Sequence, residues 1–183
     1  MKSLLFLAML PLALFGQTAG LTTEWEIRST LKDLVAQTER LVPMLDQVHP
    51  QDWIAKGAPE AYLQQWKSIK AESGYVIQTT QSLAATPAKT TLVLQVYLRM
   101  QAMESLLESL TEGVRRYQNP ALADLFQAMA SENNSGRARL RDYLVELVAA
   151  KEEELRIMDQ EAQRCRTILI KQPLPEPERK IKP

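Results

Sequence analysis

Cysteine and histidine are nearly missing from this chain of 183 residues, which contains one of each, Cys165 and His49. A zinc site built from Cys and His needs three or four such ligands. A disulfide framework or a CxxC redox pair needs at least two cysteines, and covalent haem attachment needs a CxxCH motif. The sequence excludes all of these, and we expect neither a metal nor a cofactor.

An excess of charge of one sign is also missing, because 22 Lys and Arg residues face 22 Asp and Glu residues. A level charge gives no electrostatic case for binding nucleic acid. Glycine-rich phosphate loops, nucleophile elbows and metalloprotease helices do not occur either. We therefore predict no catalytic residues and favour a role other than catalysis.

The N-terminus has the layout of a secretory signal peptide. Lys2 precedes an apolar run over residues 4–15, and the small residues Gly16, Ala19 and Gly20 follow it. A basic start, about 7–15 apolar residues and a small-residue exit are typical of such a signal. The run is shorter than the roughly 20 residues that span a bilayer. The sequence predicts a signal over residues 1–20, cleaved near Ala19 or Gly20, and a periplasmic or secreted protein without a transmembrane segment.

The rest of the chain shows the periodicity of long helices. Apolar residues recur at alternating steps of three and four, which places them on one face of a helix. No stretch alternates every second residue as a half-buried strand would. The stripes are Ile27, Leu31, Leu34, Thr38, Leu41, Leu45 and Val48; Tyr62, Trp66, Ile69, Ser73, Val76, Thr80 and Leu83; Val93, Val96, Met100, Met103, Leu107, Leu110, Val114 and Tyr117; and Leu122, Phe126, Met129, Leu140, Leu144 and Leu147.

Caps and prolines mark the helix boundaries. Thr22 or Thr23 is placed to cap the first helix, with acidic residues following in its first turn. Prolines end or open helices because they lack an N–H group. The boundaries predicted in this way are His49-Pro50, Pro59, Thr86-Pro87 and Asn119-Pro120, while Pro43 predicts a kink inside the first helix.

The segment Asn133-Asn134-Ser135-Gly136 could end a helix, since Asn and Gly are poor helix formers. Arg137, Arg139 and Arg141 would then crowd the positive end of the next helix, and the apolar stripe keeps its phase across the segment. A continuous helix is therefore favoured. The predicted fold is all-α, an antiparallel bundle of four long helices, or five if the helix breaks at Asn133–Gly136, with coiled-coil-like packing over residues 21–172. A Pro-rich disordered tail over 173–183 follows.

An unbroken fourth helix would extend beyond the bundle. Its outer part still carries an apolar seam, and such a seam usually packs against a partner helix. We expect a protein partner or a second copy of the chain there. Cys165 on this seam is either a small buried core residue or an intermolecular disulfide. The seam consists of Leu155, Met158, Ala162, Cys165 and Leu169.

Two alternatives assign a small ligand to the bundle. The stretch over residues 34–41 (Leu-Val-Ala-Gln-Thr-Glu-Arg-Leu) resembles the first-helix region of small exported chorismate mutases, which implies a helical pocket for a dicarboxylate. The following helix lacks the family's Lys and its acidic-Pro-Arg-Gln region, so no catalytic residue is transferred.

Haem held by His49 and a Met is the other alternative, although the prolines around His49 favour an exposed turn. The favoured prediction is a structural or protein-interaction role in the bacterial cell envelope.

Overall fold

A computed structural model describes residues 22–171, which form five α-helices and contain no strand. The all-α fold predicted from the sequence is confirmed. The predicted signal peptide over 1–20 and the Pro-rich tail over 173–183 lie outside the described residues. The helices are α1 (Glu24–Leu45), α2 (Pro50–Ile54), α3 (Ala61–Ala85), α4 (Thr90–Tyr117) and α5 (Pro120–Lys171).

The four long helices form a bundle around one core. α1 packs against α3 and α5, and α4 packs against the same two helices, so α1 and α4 occupy opposite corners. Residues 46–60, which include α2, join α1 to α3, and contacts of Arg28 with Ala84 and of Lys70 with Asp46 show that these two helices are antiparallel. Short turns join α3 to α4 and α4 to α5, which places those neighbours antiparallel as well. The apolar stripes predicted from the sequence line this core; Leu31, Ile69, Val96 and Phe126, one from each long helix, are at most 1% exposed.

A capping box begins α1. The side chain of Thr23 accepts a hydrogen bond from the Glu26 backbone N–H, and the Glu26 carboxylate accepts one from the Thr23 backbone N–H at 3.0 Å. Both donors belong to the first helical turn, where no intrahelical acceptor exists. Of the two predicted caps, Thr23 is therefore the correct one.

α2 is a short helix that the periodicity did not predict. Pro50 lies in its first turn, where a missing N–H costs nothing. Its five residues are too few to show a repeat, yet Trp53 is only 1% exposed and fills the core at this end of the bundle. α1 ends at Leu45 after continuing through Pro43, and α3 begins two residues after Pro59.

α5 runs without a break through Asn133 and Gly136, as the sequence analysis favoured. Both residues are buried, and Gly136 lies against Leu34 of α1. The small glycine allows a close approach of the two helices, which offsets its low helix propensity. At about 1.5 Å per residue, the 52 residues of α5 extend for roughly 78 Å.

The three tryptophans differ in their burial, since Trp53 is buried while Trp25 and Trp66 are not. Trp25 is 76% exposed because it precedes the core residue Ile27 by two positions, which places it on the opposite face of α1. Trp66 is half-buried and donates its indole N–H to the Leu45 carbonyl at 2.8 Å. Among residues 22–171, no helix is long and apolar enough to cross a membrane.

Candidate interaction surface

The last part of α5 extends past the end of the bundle. Leu147 is its last buried residue, Ala150 is half-buried, and every residue from 151 to 171 is exposed. The start of α1 and the turn between α3 and α4 reach only to the level of Lys151 and Glu154. We call residues 151–171 the extension of α5; its 21 residues correspond to roughly 32 Å of helix.

The predicted seam lies on this extension and has no neighbour within the described residues. Its large side chains remain 60–66% exposed: Leu155 (64%), Met158 (60%) and Leu169 (66%). Ile168, at 53% exposure, lies on the flank of the seam and widens it, whereas Ile157, at 48%, is on a different face of the helix. A contiguous apolar face of this kind marks an interaction site more often than scattered apolar residues do.

The seam continues the core face of α5 in the same rotational phase. At about 100° per residue, the seam residues fall within roughly 80° of one another around the helix. The buried residues Leu140 and Leu147 fall within the same sector, and the buried Gly136 lies about 20° outside it. The seam therefore points in the direction in which, lower on the same helix, α1, α3 and α4 are packed.

Charge is divided unevenly along the extension. Residues 151–161 contain five acids and two bases, while residues 162–171 contain three bases and no acid. Several charges pair within the helix, including Lys151 with Glu154 and Arg156 with Glu153, both at 2.6 Å. Asp159 and Arg166 make no ion pair inside the described range, and both directly follow a seam residue.

Cys165 is exposed on the seam. The alternative that made it a buried core residue is wrong for the single chain, because none of the described helices reaches this part of α5. The thiol is accessible to a partner, so the intermolecular disulfide stays a prediction.

The bundle interior has few polar groups. The buried polar residues in the described part of the chain are Thr38, Ser73, Thr80 and Asn133, and none is charged. Thr38 and Ser73 donate to the carbonyls four residues earlier, at 2.8 Å each. The cavity beside Asn133, between α4 and α5, measures about 10 Å³, which is close to the volume needed for one water molecule.

The residues behind the two ligand-binding alternatives are spread apart. Along 34–41, Leu34, Thr38 and Leu41 are buried in the apolar core, whereas Arg40 points outward and pairs with Glu132 at 2.6 Å. His49 is exposed in the turn before α2, as its flanking prolines predicted. No group of three or more His, Cys, Asp or Glu side chains suited to a metal ion occurs over residues 22–171.

Sequence reasoning identified the seam but missed the residues that flank it. Asp159 and Arg166 do not stand out in the sequence, because single charges on an exposed helix are ordinary. The available signal was the change from acidic to basic composition near residue 162.

Comparison of the chain with protein-family models, with curated proteins and with solved structures finds no match.

Proposed function

We propose that this protein is an exported helical-bundle protein with a structural or protein-interaction role in the bacterial cell envelope, and that the extension of α5 is its docking element. The observation that supports the proposal is the exposed seam, which continues the core stripe beyond the point where the bundle ends. Exposing about one apolar residue per turn along one face of an otherwise polar helix is unfavourable in water. A helix packed along the seam removes this cost.

Export rests on the N-terminal sequence. Lys2, the apolar run over 4–15 and the small residues before residue 21 support cleavage near Ala19 or Gly20. Mass measurement of the N-terminus of the mature protein tests this part of the proposal. A mature protein that retains Met1-Lys2 contradicts it.

Docking is tested by placing a negative charge on the seam and, in a matched control, beside it. Ala162→Glu puts a carboxylate at the middle of the seam, whereas Gln163→Glu puts it on a neighbouring exposed face. Neither residue touches the bundle, so both variants should fold. Size-exclusion chromatography of envelope extracts should show the wild type and Gln163→Glu in a larger species and Ala162→Glu at monomer size. Identical elution of all three contradicts the proposed docking.

A further inference from the structure

We propose that the occupant of the seam is the extension of a second copy of this chain, running antiparallel, so that two bundles lie at opposite ends of a short two-helix coiled coil. This inference rests on the proposed docking function and specifies its partner. Three observations support it: the phase of the seam, the length of the extension and the division of its charge.

The phase of the seam excludes a parallel copy. Because the seam and the core share one face of α5, the space in front of that face below residue 150 is filled by the chain's own α1, α3 and α4. The α5 of a parallel partner would continue into this space and collide with the bundle. An antiparallel partner approaches from the tip of the extension, so its own bundle lies at the far end.

The length of the extension fixes how far the two helices overlap. With Met158 facing the partner's Leu169, and Ala162 facing the partner's Cys165, the partner's Lys171 lies level with Arg156. The described part of the partner's α5 then ends just above the bundle of the first copy, which reaches the level of Lys151 and Glu154. A shift of one heptad toward the bundle would place that tip level with residue 149, inside the bundle.

The division of charge selects the same direction and register. In this overlap the acidic half of each extension faces the basic half of the other. Asp159 and Arg166, which lack ion pairs within the described chain, flank the seam on one side. Each Asp159 is opposite the other copy's Arg166, so two-fold symmetry forms this pair twice. A register shifted by one heptad toward the bundle would instead place Asp159 opposite the Asp159 of the other copy.

Charge reversal tests both the occupant and its direction. Asp159→Arg and Arg166→Asp each replace two attractive pairs with two repulsive ones, so each should weaken the dimer about tenfold. The double variant, and an equimolar mixture of the two single variants, should restore wild-type association. Both side chains are exposed, so circular dichroism should show unchanged helix content. Sedimentation equilibrium of the purified chain, with its N-terminus determined by mass, measures the association.

A parallel dimer gives a different pattern. Asp159 would then lie beside the other copy's Glu154, and Arg166 beside its Glu161. Asp159→Arg would strengthen association, Arg166→Asp would weaken it, and mixing them would not restore it. This pattern overturns the antiparallel inference but leaves seam docking intact.

Disulfide formation gives an independent measure of direction. In the antiparallel register the two Cys165 residues are offset by about 4.5 Å along the helix axis, which adds to the interhelical distance and exceeds disulfide geometry. Ala162→Cys should therefore crosslink readily through Cys165 of the other copy, while the wild type should crosslink poorly. Rapid crosslinking of the wild type to the same extent overturns the inference.

A purified chain that stays monomeric at millimolar concentration also overturns the second copy as occupant. If Ala162→Glu still changes the size of the species in envelope extracts, a different protein occupies the seam and the proposed function stands. If Ala162→Glu and Gln163→Glu behave alike in extracts as well, both the inference and the proposed function fail.

Discussion

Gly136 of α5 lies directly against the side chain of Leu34 in α1, and a methyl group added at Gly136 would come within 3.2 Å of Leu34 Cγ. Leu34 is 1% exposed and has little room to move. Gly136→Ala should therefore lower the free energy of unfolding by about 1–2 kcal/mol, because overpacking outweighs the gain in helix propensity. Urea denaturation followed by circular dichroism measures the change.

The matched control for this variant is Gly74→Ala. Gly74 is also inside a helix, but a methyl group there meets nothing within 4 Å. The substitution should raise the free energy of unfolding by about 0.5–1 kcal/mol through helix propensity alone. Equal effects of the two alanines would show that α1 and α5 do not approach closely at Gly136.

Gln118 connects the turn before α2 to the end of α4. Its Oε1 accepts from the Trp53 indole N–H at 3.2 Å and from the His49 backbone N–H at 3.1 Å, and its Nε2 donates to the Gln47 carbonyl. Gln118→Ala leaves the buried Trp53 donor without an acceptor, so the unfolding free energy should fall by about 1–3 kcal/mol. Urea denaturation followed by tryptophan fluorescence measures it. Gln47→Ala retains that carbonyl and should change stability by less than about 0.5 kcal/mol.

Tyr143 should titrate above the ordinary pH range of a tyrosine phenol. Burial raises the pKa of its phenol above the ordinary value of 10.0, and the nearby carboxylates of Glu24 and Glu146 add to the effect. The folded state holds this proton more tightly than the unfolded state does. The resulting contribution of Tyr143 to stability is therefore fully present below pH 10. It is lost as the pH rises through the raised pKa. Absorbance titration at the tyrosinate band should show this ionisation as a step above pH 10.

Tyr143→Phe identifies this group. The variant should lose this high-pH ionisation step. Its free energy of unfolding should also fall less steeply than that of the wild type as the pH rises above 10. It also removes the hydrogen bond that the phenol donates to the Pro87 carbonyl at 3.2 Å, so its stability at neutral pH should be somewhat lower. A high-pH step that persists in Tyr143→Phe would assign it to another tyrosine.

The capping box makes a separate prediction at acid pH. Hydrogen bonds from the Thr23 hydroxyl and backbone N–H hold the pKa of Glu26 below its ordinary value of 4.5. The stabilisation is therefore present at neutral pH and is lost as the pH falls through the lowered pKa. In Thr23→Ala, the Glu26 pKa measured by NMR should move toward 4.5. Thr22→Ala, which changes only a contact with Glu146, should leave it unchanged.

The long helices were predictable because their core residues repeat at the helical period. Ile27, Leu31 and Leu34 are buried in α1 as the stripe required, and the phase across Asn133 correctly indicated one helix. α2 was not predictable in this way, since only Pro50 and Trp53 of its five residues are buried, and two residues show no repeat. Whether Trp25 faces the core depends on its offset from Ile27, which the tryptophan content alone does not show.

The seam was predictable for the same reason, and its exposure followed from the length of α5. The level at which the bundle ends was not predictable, because it depends on where α1 begins and where α3 turns into α4. That level determines how much of the extension a second copy can occupy. The roles inferred for Asp159 and Arg166 depend on it, so they emerged only with the structure.

The continuity of α5 links two surfaces that share no direct contact. One residue inserted between Ala150 and Leu155 would rotate everything beyond it by about 100° around the helix axis, whereas seven would rotate it by only about 20°. The interaction face can therefore be misdirected by a change that alters none of its own side chains. Natural length variation in this short segment should accordingly be tolerated in whole heptads and selected against in single residues.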